Sequence, residues 1–91
     1  MDSKGIELLV RKGLIDMIRE ARGTCLTFKP KKLAKRVGLS TKPVVLSVIR
    51  YYLDEMVEKG LLQVYKKTSH GITYIITNES PLWQQVKNGH L

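Results

Sequence analysis

Leu33-Ala34-Lys35-Arg36-Val37-Gly38-Leu39-Ser40 is the stretch whose reading decides the fold. Leu33, Ala34 and Val37 fall on one side of a helix and Lys35 and Arg36 on the other, while Gly38 supplies the residue that ends it. Pro30 suits the first helical position, where a missing N–H costs nothing, so this helix runs from Pro30 to about Val37. After a tight connection, Ser40 or Thr41 caps the next helix, which tolerates Pro43 in its first turn and extends over 41–59, with Gly60 just beyond. Val45, Val48, Ile49, Tyr52, Leu53 and Met56 share one face of it; Pro43, Ser47, Arg50, Asp54 and Glu58 lie opposite.

Upstream, Ile6, Leu9, Val10, Leu14, Met17, Ile18 and Ala21 recur at spacings of three and four, which predicts a first helix from Ser3, its N-cap, to Arg22. Gly23 is its expected stop. Gly13 lowers helix propensity and marks close packing against a neighbour. Thr24 to Phe28 is β-branched and aromatic, a short strand that Pro30 prevents from continuing. From Leu61 the period changes: 61–66 and 72–77 predict two strands joined by the hairpin loop Lys67-Thr68-Ser69-His70-Gly71. Ser80-Pro81 opens a short C-terminal helix over 80–88, carrying Leu82, Trp83 and Val86.

The order helix, strand, helix, turn, helix, hairpin predicts an α+β fold. Leu33 to Ser40 resembles the second helix and turn of helix-turn-helix regulators. Leu53-Asp54-Glu55-Met56-Val57-Glu58-Lys59-Gly60-Leu61-Leu62 resembles the end of a recognition helix leading into a wing. With the hairpin, the chain is similar to winged helix-turn-helix domains, and most of all to small archaeal and archaeal-virus regulators. The resemblance covers a core over 5–77 of a single domain, 1–91. It departs from many bacterial regulators in the longer interval from Ser40 to Leu53 and in the apolar run Val44-Val45-Leu46.

Composition points to the partner. Sixteen Lys and Arg against eight Asp and Glu give a net charge of +8 in 91 residues, which favours a polyanion. From Ala21 to Leu53 stand eight basic residues (Arg22, Lys29, Lys31, Lys32, Lys35, Arg36, Lys42 and Arg50) and no acid. Double-stranded DNA is therefore the expected partner. The second helix would lie across the backbone, with Lys29, Lys31, Lys32, Lys35 and Arg36 on phosphates. Lys42, Ser47 and Arg50 would read bases, Arg50 being able to donate twice to one guanine. Tyr51 either flanks a phosphate or packs on a neighbouring helix. Lys66, Lys67 and His70 either reach DNA from the hairpin or form a solvated loop.

Leu8 and Ile15 lie off the main face of the first helix. With Leu82, Trp83 and Val86 they either form a homodimer surface, the expectation for a DNA-binding module this small, or are buried within one chain. A protein partner is the alternative to DNA, kept open by Val44 and Leu46, since the same fold serves both uses.

No enzymatic activity, cofactor or metal is expected. No nucleophile has an evident base nearby, and His70 and His90 are isolated. Cys25 reads as a small buried hydrophobe; as the only cysteine, it forms no intrachain disulfide. No apolar run approaches the roughly 20 residues that span a bilayer, and Met1 to Gly5 does not resemble a signal peptide. Cytoplasmic localisation without membrane insertion is expected.

Overall fold

The computed structural model describes residues 3–69 and 71–89. Its elements follow the order α1 (Ser3–Glu20), β1 (Cys25–Phe28), α2 (Pro30–Arg36), α3 (Pro43–Glu58), β2 (Gln63–Thr68), β3 (Gly71–Thr77) and α4 (Pro81–Lys87). The three strands form one antiparallel sheet in the order β1-β3-β2. The chain is thus an α+β protein of four helices and a three-stranded sheet.

The core lies between the helices and one face of the sheet. Alternation along β3 sends Ile72, Tyr74 and Ile76 inward. There they meet Val10, Leu14 and Ile18 of α1, Leu33 of α2 and Ile49 and Leu53 of α3, all buried in one cluster. Phe28 pairs with Tyr74 across the β1–β3 ladder, and the two rings stack with centroids 5.9 Å apart. The opposite face of the sheet carries Cys25, Thr27, Thr73, Ile75 and Thr77. Along the β2–β3 ladder the register skips a residue between Val64 and Lys66, leaving Tyr65 without a partner.

The turn between α2 and α3 forms as its sequence requires. Gly38 adopts φ 77°, its N–H reaches the carbonyl of Lys35, and Leu39 N–H reaches that of Ala34. This paired closure satisfies two carbonyls that the helix end would otherwise strand. Gly60 repeats it after α3: φ is 79°, and the N–H of Leu61 bonds to the carbonyl of Met56 at 2.9 Å. That bond explains why β2 starts at Gln63 and not at Leu61, since Leu61 is still part of the helix end. Gly13 marks close packing, as expected: a Cβ there would sit 2.6 Å from Cγ1 of Val37 and 2.7 Å from Cδ1 of Leu33.

Four details depart from expectation. The first helix ends at Glu20, and Gly23 is not among the glycines of positive φ. In its place, Lys87 of α4 donates at 2.7 Å to the carbonyl of Ala21, matching a cation to the carbonyl end of α1. Ser3 is counted within α1 itself. The residue capping α3 is Lys42, whose side chain makes no cap bond; Ser40 contributes from two residues upstream by accepting the N–H of Lys42 at 3.1 Å. Cys25 is exposed, because the inward positions of β1 are Leu26 and Phe28.

Trp83 and Val86 are each only 5% exposed, so they belong to the core and not to a dimer surface. α4 folds back on α1, with the Lys87 ammonium 5.5 Å from the Trp83 ring centroid. Ser80, itself buried, anchors the start of α4 by donating at 2.7 Å to the carbonyl of Leu61. Of the other expected dimer residues, Leu8 is 68% exposed. Ile15 and Leu82 are half-buried beside a groove shared with Arg11, Met56 and Pro81.

Candidate nucleic-acid interface

The basic residues are distributed by the elements that carry them. Lys29 is the N-cap residue of α2, and Lys31, Lys32 and Lys35 occupy its exposed side because Leu33 and Ala34 take the buried one. These four lysines surround an open hollow of about 490 Å³, completed by Thr27, Phe28 and Thr73. No acidic side chain lines it. Arg36 lies apart from them, ion-paired at 2.6 Å to Glu20 at the end of α1.

α3 presents a graded face. Lys42, Pro43, Val44, Ser47, Arg50, Tyr51, Asp54 and Glu58 are exposed, so the surface runs from basic and apolar at its start to acidic at its end. Ser47 donates its hydroxyl to the carbonyl of Pro43 at 2.8 Å, leaving only the oxygen lone pairs for an external partner. Val44 is the most exposed large apolar side chain, at 77%. It borders a hollow of about 370 Å³ lined also by Ile6, Leu39, Val45 and Val48.

Arg50 and Asp54 lie one helical turn apart and both act on the Tyr74 hydroxyl. Tyr74 donates to Oδ1 of Asp54 at 2.6 Å. Burial, then this bond and the carboxylate charge, push the Tyr74 phenol well above its ordinary range, and Arg50 opposes the shift. Arg50 thus stands over the seam between α3 and the sheet. Tyr51 projects into solvent and packs edge-on against Tyr52 with centroids 5.4 Å apart. Its phenol is raised chiefly by a hydrogen bond to Glu55 and then by that group's charge. Of the two expectations for Tyr51, packing within its own helix beside acidic groups is the one realised.

The hairpin divides its lysines. Lys66 pairs with Thr73 and so shares the sheet face that floors the lysine hollow, whereas Lys67 pairs with Ile72 on the other face. His70 lies outside the described residues. Thr27 and Thr73 were not singled out from the sequence. Only the strand register places them beside α2, and short strands carry no register signal of their own.

Among the described residues no group of three or more His, Cys, Asp or Glu could hold a metal ion. No helix there is long and apolar enough to cross a membrane. No family model matches the chain, and no curated protein matches it.

Proposed function

We propose that the chain is a winged helix-turn-helix protein that binds double-stranded DNA and serves as a transcriptional regulator. The element order and the β1-β3-β2 sheet support the winged assignment. In it, α2 and α3 are the paired helices and β2–β3 is the wing. The observation that carries the function is the exposed, acid-free lysine set of α2, separated by one tight turn from a helix whose first turns offer Val44, Ser47 and Arg50 to solvent. An α-helix of this kind fits the major groove with its N-terminal half toward the bases, while the preceding helix meets phosphates. Lys29, Lys31, Lys32 and Lys35 hold the backbone, and Arg50 and Lys42 address base edges. The acidic end of α3, Asp54 and Glu58, points the docking toward its start.

Titration of duplex DNA across a salt series tests this. With about five phosphates contacted, log K falls against log salt with a slope of roughly −4 to −5. A flat response, or no binding at low salt, counts against it. A second reading, a protein-interaction module, is favoured by the exposure of Val44 beside its apolar hollow. Absence of duplex binding at low salt would move the weight there.

A further inference from the structure

We infer that the hollow at the β1–α2 corner is a binding site for a compact soluble polyphosphate, three adjacent phosphates of the kind a nucleoside triphosphate carries. This deepens the DNA proposal by giving its backbone lysines a second ligand, yet it rests on the chemistry of the hollow. Lys31, Lys32 and Lys35 are spaced three and four residues apart, so they share one helix face within about one 5.4 Å turn. Lys29 stands at the cap, and no acid lines the space between them. Four ammonium groups converging without a counter-charge repel one another, and the empty site carries that cost. The floor is polar and two-sided: Thr27 from β1 and Thr73 from β3 bring hydroxyls, and Lys66 adjoins through its pairing with Thr73.

Shape separates a small ligand from a duplex. The volume, about 490 Å³, falls within the roughly 300–1,000 Å³ of small-molecule sites. A duplex can touch the rim of such a space but cannot enter it, whereas a flexible phosphate chain can enter and neutralise all four lysines. The same ammonium groups then cannot serve DNA, so a polyphosphate displaces duplex.

The full chain is titrated with sodium tripolyphosphate, against sodium chloride matched for ionic strength. A saturable rise in melting temperature that chloride does not reproduce is expected, because a ligand of the folded state stabilises it. Backbone amide shifts should centre on Thr27, Thr73 and α2. The pair Lys32→Gln/Lys35→Gln should weaken binding by about tenfold or more, at one charged contact per decade. Lys12→Gln/Lys59→Gln, exposed positions elsewhere that remove the same charge, should leave it within about twofold.

An equal response to chloride, equal losses in both double variants, or shifts centred elsewhere would overturn the inference. A duplex arm separates the two proposals. Duplex binding with only a chloride-like response to tripolyphosphate retains the DNA proposal and removes this one. Saturable tripolyphosphate binding without duplex binding does the reverse.

Discussion

The Tyr74 hydroxyl, on the central strand, is held 2.6 Å from Oδ1 of Asp54 on α3. This one bond joins the sheet to the helix whose exposed face is proposed to read DNA, and it fixes the base on which Arg50 stands.

Tyr74→Phe keeps the ring stack with Phe28 and removes only the bond. A stability loss of about 1–3 kcal/mol is expected, the range for a hydrogen bond to a charged acceptor. The pH dependence carries a sign. The unfolded phenol ionises near 10.0 and the folded one higher, so the folded state holds the extra proton. The contribution is complete below pH 10 and is lost as pH rises from there through the folded value. Urea unfolding at about pH 8 and again above about pH 10 should show a steeper alkaline fall in the wild type than in Tyr74→Phe. Equal falls would remove Tyr74 as the titrating group.

Gly13→Ala sets helix propensity against packing. Alanine gains about 1 kcal/mol in a helix interior. Its Cβ, however, meets Val37 and Leu33 at 2.6 and 2.7 Å, and Leu33 is fully buried and cannot swing away. Overpacking costs typically about 1–3 kcal/mol, so a net loss of about 1 kcal/mol is expected. Adding Val37→Ala should recover part of it; a stabilised Gly13→Ala protein would show that α2 gives way.

Trp83→Ala should cost about 3–5 kcal/mol, the range for a large aromatic leaving a core. Leu8→Ala should stay within about 0.5 kcal/mol, as for an exposed site. Denaturant midpoints decide this, and similar small effects at both positions would return Trp83 to the surface.

Glu20→Gln releases Arg36. The ion pair is surface-exposed on both sides, so its loss should change stability by less than about 1 kcal/mol. If duplex DNA is the partner, the freed guanidinium should tighten binding to all sequences and steepen the salt slope by about 1. Arg50→Ala should act differently, costing about 1–3 kcal/mol on the preferred sequence alone. Unchanged duplex binding in Glu20→Gln would place Arg36 away from the backbone.

Elements with a strong period were legible. The 3.6-residue pattern of Val10, Leu14 and Ile18, and of Ile49, Leu53 and Met56, located α1 and α3, and Gly38 and Gly60 marked two helix ends by a conformation that suits glycine. Burial of Trp83 was undecided, because seven residues of helix cannot say against what they pack. Cys25 was misread because one residue decides which way a strand faces. For the site, charge was visible in the composition, but its partition was not. The pairing of Arg36 with Glu20 needs the α1–α2 crossing, and the meeting of Thr73 with the α2 lysines needs the sheet register.

The skipped pairing at Tyr65 has its consequence in crowded solution. β2 is an outer strand, and all six of its residues are exposed. A flat outer strand invites the same strand of a neighbouring molecule to add on, the first step toward fibrils. Here the irregular rung disrupts the template, and Lys66 and Lys67 would set like charges against any strand that adds on. The hairpin can therefore stay uncovered without seeding aggregation, and Lys66→Val/Lys67→Val removes that guard.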